Sequence, residues 1–218
     1  CMSELKDLRT RRTCAWPGWG RDNVISEALG TRVRSLTLGI GEALARAGLT
    51  PNMVTTIGLL LSLAVAAVIA TGNLILGGIL FLIASGFDML DGAVARAAGT
   101  VTKFGGFLDS TLDRYSETIV LFGVLYYLLQ TPDATVGALL VFAATTGSLL
   151  ISYARARAEA AGFHASVGLL ARPERVVVLA IGLLFGQLLP ALWILAIGTH
   201  LTVFMRIYHV WRITRANS

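Results

Sequence analysis

The chain has 218 residues, 55% hydrophobic and 14% charged, with a formal net charge of +5 at pH 7 and a mean hydropathy of +0.72. Soluble domains carry about 25% charged residues, so this composition excludes an ordinary water-soluble domain and points to an integral membrane protein. Cys1 and Cys14 are the only cysteines, and both fall in the polar N-terminal stretch, so no disulfide framework is expected.

Residues 1–23 are polar and Arg-rich, with Trp16 and Trp19 around Pro17 and Gly18, and read as an arm or interfacial anchor. Residues 24–47 read as an amphipathic helix: Val24, Ile25, Leu29, Val33, Leu36, Leu38 and Ile40 alternate with Arg32, Arg34 and Glu42. Such a helix lies in the plane of the membrane interface. A spanning helix needs about 20 apolar residues, and six runs are read as spans, near 53–71, 74–94, 106–129, 135–160, 174–188 and 191–211. Thr71-Gly72-Asn73, Gln130-Thr131-Pro132-Asp133, and Gln187 with Pro190 supply turns between them. The expected fold is therefore an all-α integral membrane protein, six transmembrane helices preceded by a juxtamembrane amphipathic helix. Its organisation is a polar arm (1–23) and one membrane domain (24–218).

Charge sets the expected orientation. Arg96 and Lys103 follow span two, Arg155, Arg157, Arg172 and Arg175 lie between spans four and five, and Arg206, Arg212 and Arg215 lie near the end, whereas the opposite turns carry no Lys or Arg. The positive-inside rule then places both termini and the polar site on the cytoplasmic face of a multi-pass inner-membrane protein. The excess positive charge suits anionic lipid headgroups, and no nucleic-acid-binding motif is present.

The chemistry concentrates in Asp88, Asp91, Asp109 and Asp113, set among apolar neighbours. Carboxylates at membrane depth are costly and mark functional sites. Spacings of three and four put each pair on one helix face, and four such groups cannot stay ionised together without cations. Hard divalent ions suit oxygen donors, Mg²⁺ before Ca²⁺ or Mn²⁺. Two acidic clusters on a helix pair can cage two ions, an arrangement suited to phosphoryl transfer. Between them, Gly99, Thr100, Thr102, Lys103, Gly105 and Gly106 suit a turn over a phosphate. His164, His200 and His209 lack metal-ligand spacing, and Ser110 and Ser116 lack a His–acid partner.

The string Asp88-x2-Asp91-Gly92-x2-Ala95-Arg96-x8-Gly105-x3-Asp109-x3-Asp113 resembles, at all of its fixed positions, the signature of the CDP-alcohol phosphotransferases. The similarity covers about residues 30–212. It implies displacement of CMP from a CDP-linked lipid by an alcohol. It further implies that Asp88, Asp91, Asp109 and Asp113 hold two Mg²⁺ ions, with Mn²⁺ as a substitute, and that Asp113 is the general base. Asn52, Thr55, Gly92, Ala95, Arg96, Thr102 and Gly105 would contact the CDP-lipid.

Several guanidinium groups on the same side as the aspartates can hold a phosphate dianion, so an acceptor with its own phosphate is expected. Ser152-Tyr153-x-Arg155-Ala156-Arg157-Ala158-Glu159-Ala160 and Arg172-Pro173-Glu174-Arg175 resemble the phosphatidylinositol-phosphate synthases. By that resemblance Arg155, Arg157, Arg175 and Arg206 would hold the phosphate of inositol 1-phosphate, and CDP-diacylglycerol would be the donor. Arg155 stands where that group often has Lys. Glycerol 3-phosphate is the rival acceptor, giving phosphatidylglycerol phosphate. A transporter would place polar residues at the bilayer midplane, and a prenyltransferase would need no arginine cluster. Abundant Gly and Ala in the spans suit close helix packing or a homodimer face.

Overall fold

In hydrocarbon a chain must satisfy its backbone hydrogen bonds internally, which favours helices. In the computed structural model every regular element among the described residues is a helix. The described residues are 39–216 except 42, 45, 89, 98, 100, 101, 164 and 166, with the backbone alone at Asp91, Arg96, Ala97 and Ala216. The polar arm and most of the expected amphipathic helix thus lie outside them. Residues 39–41, 43, 44 and 46 are helical.

Seven helices follow: α1 (Pro51–Ala70), α2 (Leu74–Phe87), α3 (Leu90–Ala97), α4 (Lys103–Leu128), α5 (Ala134–Ala160), α6 (Arg172–Leu184) and α7 (Leu188–Ala216). Their starts follow from local chemistry. Thr50 caps α1 by accepting from the Met53 N–H at 3.3 Å, with Pro51 in the first turn. Asn73 caps α2 through the Leu76 N–H, and Thr102 caps α4 through the Gly105 N–H at 2.9 Å. Gly72, at φ +87°, turns the chain between α1 and α2.

Four stretches are long and apolar enough to cross a membrane: Pro51–Ala70, Leu74–Ala95, Ala134–Ala160 and Leu188–Arg215. Length and composition alone do not mark α4, which carries Lys103, Asp109, Asp113, Arg114 and Glu117, or α6, which has 13 residues. The span read near 74–94 corresponds to Leu74–Ala95, within which α2 ends at Phe87 with Asp88 as its C-cap and α3 opens at Leu90.

The six longer helices close a ring of neighbours in the order α1, α4, α5, α7, α6, α2, with α3 against α1 and α2. Ile69, Val124, Leu183 and Leu192 meet in its middle, while Phe122, Phe142 and Phe204 face outward. Small residues make the seams close. A Cβ on Gly123 of α4 would lie 2.5 Å from the Ala66 carbonyl oxygen of α1, and one on Gly147 of α5 would collide with Thr199 of α7.

Candidate active site

The helix break places Asp88 where α2 ends, with Asp91 three residues on in α3. Asp109 and Asp113 stand one turn apart on α4. One cation gathers a member of each pair: Arg172, the first residue of α6, donates from Nη1 to Asp113 Oδ2 at 2.6 Å and from Nη2 to Asp88 Oδ2 at 2.7 Å. Both carboxylates are largely buried, at 11% and 14% exposure, against 32% for the arginine. The two carboxylates offset the cost of partly burying the guanidinium charge between them. The other oxygen of Asp88 points at α1, where a Cβ on Gly58 would lie 2.5 Å from Oδ1. Gly58 thus leaves the room that this carboxylate fills.

Three of the expected nucleotide-side residues meet where α1 and α4 begin. A Cβ on Gly105 would lie 3.0 Å from Thr102 Oγ1 and 3.7 Å from Asn52 Oδ1, so Asn52, Thr102 and Gly105 converge. Thr102 spends its hydroxyl oxygen on the α4 cap. Thr55 is buried and donates to the Pro51 carbonyl. Gly92 and Ala95 lie half-buried in α3, and the side chains of Asp91 and Arg96 lie outside the described residues.

The four acceptor-side arginines divide into two kinds. Arg175 and Arg206 are 4% and 5% exposed. Arg175 is held by Glu117 through Nε at 2.7 Å and Nη2 at 3.0 Å, and donates to the Leu170 carbonyl. Ser148 donates to the same Glu117. Arg206 donates to the Val167 and Ile151 carbonyls. Arg155 and Arg157 are exposed near the end of α5, and Arg155 pairs with Glu159 at 2.8 Å. The charges of Arg155 and Arg175 both bear on Arg206, so these three share one neighbourhood. Arg155 continues the inward line of Ser148 and Ile151, whereas Arg157, two residues on, faces about 200° away around the helix.

Between the two acid–base clusters runs a narrow, open cleft. Asp88 and Arg172 line one part, and Glu117, Arg175 and Ser148 another, with Phe81 and Leu179 among its apolar walls. Sequence reading left Arg172 without a role, though its place in the Arg-Pro-Glu-Arg string at a span start was a signal. Among the described residues, Arg114 Nη1 is the single buried side-chain polar atom with no hydrogen-bond partner, and nothing local in the sequence flagged it.

Among the described residues no three acidic, His or Cys side chains close into a ready-made metal cage, and the side chain of Asp91 falls outside that search. The donor set nevertheless fits a hard divalent cation. It offers carboxylate oxygens alone, and two helices already deliver theirs to one shared positive group.

The family profile described as CDP-alcohol phosphatidyltransferase matches residues 48–205. The archaetidylinositol phosphate synthase of Pyrococcus horikoshii is 41% identical over 170 residues, 78% of this chain and 87% of that protein. The phosphatidylinositol phosphate synthase of Corynebacterium glutamicum is 41% identical over 179 residues, 77% and 80% of the two chains. Crystal structures of the Mycobacterium tuberculosis phosphatidylinositol phosphate synthase superpose at 34% identity. The form with CDP-DAG bound has a TM-score of 0.76 and covers 81% of this chain and 94% of that one. The form with manganese and citrate has a TM-score of 0.75 and covers 80% and 88%. The chain belongs to the CDP-alcohol phosphatidyltransferase family. It is an enzyme of phospholipid biosynthesis, and its relatives at 37–41% identity include phosphatidyl- and archaetidylinositol phosphate synthases.

Proposed function

We propose that the chain transfers a phosphatidyl group from CDP-diacylglycerol to inositol 1-phosphate, releasing CMP. The observation that carries this reading is the meeting of the α2 and α4 aspartates beside an arginine-lined cleft, in a chain whose relatives bear that activity's name. In the transfer, a hydroxyl oxygen of the acceptor bonds to the lipid-side phosphorus of the diphosphate, the bond from that phosphorus to the CMP oxygen breaks, and the hydroxyl proton passes to Asp113.

Asp88, Asp91, Asp109 and Asp113 are the residues to hold two Mg²⁺ ions, or Mn²⁺ in their place. Bound there, such ions supply charge neutralisation for the diphosphate and acidify a nearby hydroxyl. Asn52, Thr55, Gly92, Ala95, Arg96, Thr102 and Gly105 take the nucleotide side. Arg155, Arg175 and Arg206 take the acceptor phosphate, and Arg157, on another face of α5, assists through its charge alone. Arg175 and Arg206 keep their buried guanidinium planes fixed by Glu117 and by carbonyls, which spares the acceptor the cost of ordering them. The same reading makes α1, α2 with α3, α4, α5, α6 and α7 six spans behind an interfacial helix, with the site on the cytoplasmic face.

The test is CMP release by purified protein from CDP-diacylglycerol and Mg²⁺, with inositol 1-phosphate, inositol and glycerol 3-phosphate offered separately. Release with inositol 1-phosphate alone is expected. Release with glycerol 3-phosphate alone keeps the chemistry and replaces the acceptor; release with free inositol as readily as with its phosphate removes the arginine argument.

A further inference from the structure

Arg172 has no place in the transfer just described, yet it makes the two charged contacts that join the aspartates of α2 to those of α4. Its Nη1 and Nη2 engage the same oxygen, Oδ2, of Asp113 and of Asp88. The second oxygen of Asp88 is turned to the backbone of α1 at Gly58, where there is no space for one more carbon. A cation that binds Asp88 through Oδ2 shares that oxygen with the guanidinium or displaces it. Sharing is costly, because a divalent ion and a guanidinium held on one carboxylate repel each other in a partly dry site.

We propose that Arg172 is a positioning residue that acts as the exchangeable counter-ion of Asp88 and Asp113, holding the two carboxylates together and competing with divalent cations for them. The inference rests on the metal-site reading above and adds a regulator of loading to it. Two features of the geometry make exchange feasible. Arg172 is a third exposed, so its head has solvent to move into, and it opens α6, where one turn of backbone rather than a whole helix carries it. Arg175, three residues on, has neither freedom, being 4% exposed and held along its Nε–Nη2 edge by Glu117 and at Nη1 by the Leu170 carbonyl.

The experiment is a Mn²⁺ titration of detergent-purified protein, with free Mn²⁺ read by electron paramagnetic resonance and no substrate present. Arg172→Gln removes the competing charge and is expected to tighten Mn²⁺ binding about tenfold, the order that one nearby unit charge supplies at partly exposed depth. Arg172→Lys keeps the charge and is expected to stay within about threefold of the parent, since only the fork is lost. The rise in melting temperature on adding Mn²⁺ should also be larger in Arg172→Gln than in the parent protein. If the glutamine variant does not fold, Arg172→Met repeats the titration with another neutral side chain.

Unchanged or weaker Mn²⁺ binding in the neutral variant overturns the proposal, as does an equal gain in Arg172→Lys. Asp88→Asn and Asp113→Asn separate the two levels of the argument. If both lose Mn²⁺ while Arg172→Gln binds like the parent, the metal site stands and the counter-ion role falls. If both bind Mn²⁺ like the parent, the metal-site reading falls and takes the inference with it.

Discussion

Arg172 and Arg175 stand on the same turn of α6 and meet carboxylates in opposite ways. Arg172 spreads one guanidinium over two aspartates from two helices and keeps a third of its surface exposed. Arg175 gives two donors to a single glutamate, is almost fully buried, and has a serine holding its partner from a third helix. A nearly buried pair joined by two hydrogen bonds braces the bundle, because breaking it strands a charge in low dielectric. A guanidinium split between two acids at the mouth of a cleft can be traded for another cation. Ion pairs of like length, at 2.6–2.7 Å, thus serve different ends, and burial with partner count tells them apart.

The largest expected effect lies on the mouth side. Asp113→Asn should lower turnover by about 10²–10⁴-fold, the range of a lost general base, with nucleotide binding measured by calorimetry partly kept. An active variant would remove the base assignment. On the bracing side, Glu117→Ala should cost about 3–5 kcal/mol by leaving Arg175 charged and unpaired, seen as a lower melting temperature in detergent. Glu117→Leu with Arg175→Met should recover most of that loss, and failure to recover would mean that the pair does more than brace the bundle.

A gentler probe is Gly58→Ala, which pushes a methyl group into the space of Asp88 Oδ1. It should raise the Mg²⁺ concentration for half-maximal rate by about tenfold, the equivalent of about 1.4 kcal/mol, while the melting temperature moves little. A normal Mg²⁺ requirement would show that Asp88 is not confined there. The smallest effect is expected from Arg157→Ala, which should raise the acceptor KM a few-fold, on the order of the loss of an exposed ion pair, and leave the CDP-lipid KM alone. Equal changes in both would take Arg157 out of the acceptor pocket.

Much of this frame was legible locally. Spans expected at 53–71 and 135–160 correspond to helices at Pro51–Ala70 and Ala134–Ala160, since apolar runs bounded by Thr50, Asn73 and the Gln130-Thr131-Pro132-Asp133 turn carry their own limits. The aspartate quartet was legible because three- and four-residue spacings encode a helix face. The break at Asp88 and the role of Arg172 were not. The arginine lies 84 residues from Asp88 and 59 from Asp113, and no periodicity records a pairing at such separation. The split among the arginines was hidden for a related reason. All are positive residues near span ends, and only the closed ring shows that Arg206 reaches carbonyls of α5 and the following loop while Arg157 remains on an outer face.

The seam between Gly123 and Ala66 has a mechanical consequence. With glycine backed onto a neighbouring carbonyl, α1 and α4 lie so close that they behave as one beam. At the beam's other end Asn52 and Gly105 come together, 18 residues or about 27 Å of helix away from Gly123. A wedge driven in at position 123 would splay that distant end. A substitution so far from the candidate site, touching no ligand, would then register in an assay as a defect in substrate affinity.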